Sequence, residues 1–347
     1  MRKEAIYQSN KRLLQFDLLK VFACLLVIWG HTIMHMYVSD YIANPIYRFI
    51  YSFHMNLFMM ISGLFASSAM KLDVKTFLIK KAQQLIYPCV VWGICVLLII
   101  NGSEVLETGL SQISVSGLLS DLYWYSDFWF LKSCFICYGL AYLGVNTKLK
   151  KWKWITITLL LSQLIPFFQI PFMYPSFLMG MQLKDSKTLM NFLMKNKYVV
   201  CVIFIIMTLF WTKEAWIGSH GMSLLKGSEA QIVDFFLLRL FRLIIGILGA
   251  LSFLSLFCAI DESKMTSNIV RRLCDYGRYS LEIYIVHSVL FVDFVCRYIK
   301  FTEFNFLQFN MLIAPMISLF VLAVCCLFIT IVYKSDFLSK LLFGRSL

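Results

Sequence analysis

Asp17, Lys20, His31 and His35 interrupt an apolar run, RLLQFDLLKVFACLLVIWGHTIMHM at 12–36, that would otherwise pass for a lipid-facing helix. Eleven steps of ~100° bring His31 back to within about 20° of the Lys20 face, roughly 16 Å further along the axis. One stripe therefore carries a cation near its start and an imidazole deep inside, with His35 a turn beyond. An imidazole titrates near neutrality, so it can take a proton from a hydroxyl and later return it. A cation at the start of the same face suits a phosphate-bearing molecule arriving from that side. Ionisable groups inside a membrane span are expensive, which makes each a site candidate. The structural alternative is that Lys20 snorkels to the interface while His31 hydrogen-bonds a neighbouring helix. Spacing alone leaves both open.

Other polar residues sit in apolar surroundings further along. His54, in FHMNLF, is either a substrate-binding imidazole facing His31 or His35, or an interfacial cap at the outer mouth of its helix. Arg239 and Arg242, in DFFLLRLFRLIIG, stand three residues apart and share a face. They could bind the phosphate of a lipid-linked saccharide, or pair with Asp234 and snorkel outward. Lys132 has Asp127 as its expected partner. Glu282 either orients a ligand or pairs with Arg278 four residues earlier, and the ion pair is the favoured expectation. His287, deeper in the same run, is a further candidate for the polar core. Cys134 and Cys137 form a CxxC inside a helical run, where packing is expected rather than metal or redox chemistry.

These residues must be positioned by membrane helices. Sixty per cent of the 347 residues are hydrophobic and 15% are charged, with a mean hydropathy of +0.76. Such values lie far outside the range of a soluble domain. The apolar runs are long and unalternating, which argues for helices and against an outer-membrane barrel. About ten spans are expected, at approximately 14–36, 49–69, 83–100, 127–145, 154–168, 170–183, 198–212, 235–260, 279–299 and 308–332. Pro166, Pro171 and Pro175 make the fifth and sixth either a kinked pair or a re-entrant hairpin. The net charge of +13 falls mostly in alternate loops, as the positive-inside rule requires, so nucleic acid is not its partner. Strict alternation places both termini in the cytoplasm. The eleven cysteines imply no disulfide framework. The charged N-terminal segment is read as retained, not as a cleaved signal. One membrane domain, 1–347, is expected without a fused soluble domain. Asn101-Gly102-Ser103 is taken as a turn rather than a glycosylation site.

Lys20, ten residues, then His31 resembles the (Arg/Lys)-X10-His motif of the type 3 family of membrane-bound acyltransferases, bacterial-type O-acyltransferases of surface polysaccharides. The preceding RLLQFDLLK is similar to the family's Arg-x-x-x-x-Asp-x-x-Arg/Lys opening. FHMNLFMMISGLF at 53–65, FLIKKAQQLIYPCVVW at 77–92 and FWFLKSCF at 128–135 resemble its second, third and fourth helix signatures. SFLMGMQL at 176–183 and GRYSLEIYIVH at 277–287 resemble later ones. Each is loose, but six in order are specific, and they span nearly the whole chain.

The resemblance implies an acyl group, usually acetyl, taken from cytoplasmic acetyl-CoA and delivered to a sugar hydroxyl, with no bound cofactor. His31 would be the essential histidine and Lys20 its basic partner; Asp17 belongs to the same opening motif. Where the family commonly has arginines before the third-helix proline, this chain has Lys80, Lys81, Gln83 and Gln84 before Pro88. Donor-phosphate contacts would then fall to Lys80 and Lys81. The setting implied is the bacterial inner membrane, with a glycan or lipid-linked saccharide as acceptor and lipids as surroundings. The competing reading is a transporter or flippase whose buried Arg, Lys and His line a pathway. No repeated halves support it, and the broken-helix pair at 154–183 has no later counterpart. A non-catalytic scaffold is a third reading, in which Lys20 and His31 would be exchangeable without effect.

Overall fold

The computed structural model describes residues 13–37, 40–96, 128–220, 229–261, 265 and 267–345. Among them the fold is all-helical, with no strand beyond an isolated bridge between Tyr37 and Phe301. Helix α1 (Leu14–Met36) buries Leu19, Ile28 and Ile33 completely. Its Val- and Leu-rich surface meets neighbouring helices on several sides, which is why it shows no clean apolar stripe. Helix α2 (Pro45–Leu64) begins where Asn44 accepts hydrogen bonds from the N–H groups of Ile46 and Tyr47, with Pro45 opening the first turn. The Asn44 amide also donates to Asn310 at 2.7 Å.

A 3-10 turn (Ala66–Lys71) leads to α3 (Val74–Lys81), capped by Asp73 and carried through a π turn (Ala82–Ile86) to residue 96. Then follow α4 (Trp129–Val145), α5 (Lys151–Gln163), α6 (Ile170–Asp185), α7 (Lys187–Lys195), α8 (Lys197–Leu209), α9 (Lys213–His220), α10 (Glu229–Cys258) and α11 (Asn268–Tyr276). Helix α12 (Ser280–Val286) widens into a π stretch (His287–Val295) and ends at Tyr298. Another π turn (Phe309–Ile313) opens α13 (Ala314–Val332), and α14 (Asp336–Phe343) closes the described chain.

Among the described residues, three helices are long and apolar enough to cross a membrane: Leu14–Met36, Val233–Cys258 and Phe306–Val332. The pair α7 and α8, bent by 70°, is a broken span or a re-entrant loop by the same measure. Several expected boundaries shift. The second run ends at Leu64, not 69, and the third begins at Val74, its last residues lying outside the described ones. The fifth and sixth runs are two separate helices. Phe168 and Gln169 both adopt left-handed backbone (φ 52° and 58°), which lets α6 start afresh with Pro171 in its first turn. The short helices α7, α9, α11 and α14 were not expected. Asn101 and Asp127 lie outside the described residues.

Helix α2 is the hub, packed on α1, α6 and α10. At its crossing with α6 a Cβ on Gly63 would strike the Phe177 carbonyl, and one on Gly180 would strike that of Met60. Glycines at both positions let two backbones touch. Helices α1 and α12 are pinned to each other at both ends. Gly277 lies against the Asp17 backbone, and beyond the far ends Phe301 N–H donates to the Met36 carbonyl at 2.8 Å. Cys134 and Cys137 are buried packing residues of α4, the first with its thiol 3.9 Å from the Met59 sulfur.

Candidate active site

The second half of α1, the opening turns of α2, α4 and α6, and the middle of α10 meet around a cavity of about 410 Å³. His31, His35, Tyr47, Tyr51, His54, Asn56, Trp129, Gln169, Phe172, Trp216, Arg242 and Tyr284 contribute to its wall. No carboxylate lines it among the described residues. Its chemistry is imidazole, phenol, amide and one guanidinium.

Four of the chain's five histidines gather here. The His31 ring stacks on His35 with centroids 5.6 Å apart and lies 5.4 Å from His287. His287 stands at this depth because α12 runs alongside α1, and its π stretch begins at that residue. A π turn inside a helix often marks a functional position. His287 Nδ1 contacts the Ile283 carbonyl at 3.0 Å, and His54 Nδ1 that of Ile50 at 2.8 Å. A carbonyl only accepts, so both rings carry their proton on Nδ1 and present Nε2 as an acceptor. Nε2 of His287 and Nδ1 of His31 are buried without a hydrogen-bond partner among the described residues. Buried polar atoms are almost always satisfied, so these two nitrogens beside a cavity are open to a hydrogen bond from a molecule bound there.

Arg242 donates to Gln169 Oε1 at 2.6 Å and lies over the rings of Phe172 (4.2 Å) and Trp216 (5.7 Å). Arg239, one turn earlier, flanks Phe172 from the other side at 5.1 Å. Neither arginine forms an ion pair among the described residues, so the alternative pairing with Asp234 is not the one adopted. Asn56 is fixed by the Ser176 hydroxyl and the Phe172 carbonyl. Tyr47 stacks on Tyr51 at 4.0 Å, and Tyr51 packs on His54.

The remaining expected residues stand elsewhere. Lys20 pairs with Asp17 at 3.2 Å and lies over Phe65, at the opposite end of α1 from the cavity. Lys80 is exposed on α3 at that same end, while Lys81 donates to Gln84 and covers the Tyr138 ring at 3.7 Å. Lys132 lies 5.4 Å from the Phe168 ring. Glu282 corrects an expectation: its partner is Arg345, not Arg278. Its carboxylate is buried in an ion pair with the Arg345 guanidinium and accepts from the Tyr333 hydroxyl at 2.8 Å. Arg278 instead reaches Asp275 and lends its carbonyl to Arg345. Sequence distance hid this pair, since only neighbours within a turn can be matched by spacing.

A loop tie closes the cavity end. Lys213 of α9 pairs with Asp40 in the turn between α1 and α2, and Arg48 donates to the carbonyls of Ile42, Ala43 and Trp211. The Lys213 ammonium, with help from the Ala43 and Ile42 amides, holds the Asp40 carboxyl below its ordinary value. Sequence reading missed Tyr47, Tyr51, Gln169, Trp216 and Tyr284. Aromatic residues in apolar runs look like packing, and the one available signal was Gln169 between two prolines.

Residues 13–332 match the family described as Acyltransferase domain. The chain belongs to that family. Over 138 residues it is 32% identical to Nodulation protein NolL of Mesorhizobium japonicum, a match covering 38% of this chain and 36% of that relative's length. No solved structure matches. Family membership agrees with the chain's apolar helices in pointing to a membrane.

Proposed function

We propose that this protein moves an acyl group, with acetyl as the expected case, from a cytoplasmic acyl-CoA to a hydroxyl of a surface glycan or its lipid-linked precursor. The carrying observation is the His31 imidazole, one nitrogen buried and unpartnered, on the wall of a cavity large enough for a saccharide unit. Its setting would be the bacterial inner membrane, crossed about ten times with both termini in the cytoplasm.

His31 takes the proton of the acceptor hydroxyl as that oxygen attacks the thioester carbonyl. The new C–O bond forms, the C–S bond breaks, and the proton passes from the imidazolium to the departing thiolate. His287 Nε2, next to His31, accepts a hydrogen bond from the acceptor or from His31 and so orients it. Tyr51, Trp216 and Phe172 offer ring faces to a sugar. The donor approaches from the Lys20 end, where Lys20, Lys80 and Lys81 supply positive charge for its phosphates. The test is transfer of labelled acetyl from acetyl-CoA in membranes containing the protein. Transfer that depends on the protein and disappears in His31→Ala supports the reading; transfer undiminished in that variant rejects it.

A further inference from the structure

Phe172 divides two spaces. On one side is the histidine-lined cavity; on the other is a groove along α5, α6 and α10 formed by Gln163, Leu164, Phe236, Arg239, Leu240 and Leu243. The groove faces outward from the bundle, with Leu164 77% and Phe236 58% exposed. In a membrane those side chains meet acyl tails. Arg239 lines the groove and Arg242 the cavity, with guanidinium carbons 5.1 and 4.2 Å from the same ring.

Two guanidinium groups at this depth are costly unless something anionic joins them. Arg242 has one amide acceptor and two ring faces; Arg239 has the rings of Phe172 and Phe235. None of these neutralises charge. Arginine binds phosphate oxygens through a planar fork, so the missing partner is of that class. An apolar groove running into the same spot suits a phosphate that carries a long hydrocarbon chain.

Building on the acyl-transfer reading, we infer that the acceptor is a saccharide on a lipid phosphate, its tail in the groove at Leu164 and Phe236, its phosphate between Arg239 and Arg242, and its sugar beside His31. It enters sideways from the bilayer past Phe172. A neutral acceptor would leave both arginines uncompensated.

The experiment uses the full-length protein in phosphatidylcholine nanodiscs, with binding read by quenching of tryptophan fluorescence and by retention of lipid in native mass spectrometry. The probes are undecaprenyl phosphate, undecaprenol and inorganic phosphate. The phosphate lipid is expected to bind saturably, with Arg239→Gln and Arg242→Gln each weakening it about ten- to a hundredfold. Gln169→Glu, which places a carboxylate beside Arg242, is expected to abolish binding while keeping or raising the melting temperature, so loss of binding there is not unfolding. Equal binding of undecaprenol overturns the proposal. Full competition by inorganic phosphate at equal concentration overturns the lipid source and points to a soluble anion. His31→Ala is expected to retain the lipid while losing transfer. Retention by that variant together with undiminished transfer rejects the catalytic role of His31 and leaves the lipid site standing.

Discussion

His31 and His287, from the first and twelfth helices, bring their rings to 5.4 Å, each with one nitrogen buried and unpartnered. His287 holds the Ile283 carbonyl through Nδ1, so the atoms without a partner among the described residues are its Nε2 and the Nδ1 of His31.

Their roles should separate by substitution. His31→Ala is expected to lower acetyl transfer by about 10²–10⁴-fold, the usual worth of a general base. His287→Asn, which keeps a polar group of similar size, should cost less, about tenfold, as expected for loss of one orienting hydrogen bond. Initial rates with labelled acetyl-CoA check both. Equal losses would mean that the two rings act as one unit.

The Glu282–Arg345 pair is a structural bond that joins α12 to the segment after α14. Arg345→Ala leaves a buried carboxylate without its cation and should lower stability by about 2–3 kcal/mol. The double variant Glu282→Gln with Arg345→Gln should recover a good part of that loss. Thermal unfolding in detergent, followed by tryptophan fluorescence, measures both. Recovery fails if Arg345 acts only through packing.

At the α2–α6 crossing, Gly63→Ala and Gly180→Ala each force a methyl group into a carbonyl of the other helix. Each should cost about 1–3 kcal/mol, typical of an overpacked site. Because α2 carries Tyr51 and His54 while α6 carries Phe172, transfer should fall too. A variant with unchanged melting temperature and activity would show that the helices can separate there without consequence.

Asp40 carries the acid-sensitive part of the cavity end. Its folded-state value lies below the ordinary carboxylate value, chiefly because Lys213 hydrogen-bonds it. A depressed value means that the tie contributes stability above the ordinary value, near ~3.9, and loses it as pH falls through the lower folded value. Asp40→Asn should therefore flatten the acid side of a melting-temperature profile taken from pH 6 to pH 3. Its melting temperature near neutrality should drop only slightly, since the pair is exposed. An unchanged acid profile would assign the effect elsewhere.

What the sequence revealed and what it hid follow from range. His31 stood out because an imidazole in an apolar run is costly, and Arg242 for the same reason; both face the cavity. Lys20 was tied to His31 by helical phase, and the phase holds, yet sixteen-ångström reach along an axis puts them at opposite ends of one helix. Helix phase fixes a face but not a shared chamber. His54 was balanced between a cap and a ligand, and only the approach of α1 and α10 puts it inside. Glu282 and Arg345 could be paired only by the fold. The short helices α7, α9, α11 and α14 escaped notice because, at eight or nine residues, they lack the long apolar run by which spans are recognised.

The double pinning of α1 against α12 also decides what can move. Gly277 seated on Asp17 at one end and the Phe301 bond to Met36 at the other prevent the two helices from sliding past each other. The wall that carries His31 is thus the stationary jaw. Any widening of the cavity is then expected on the facing side, where the Asp40–Lys213 clasp ties α9 to the turn before α2.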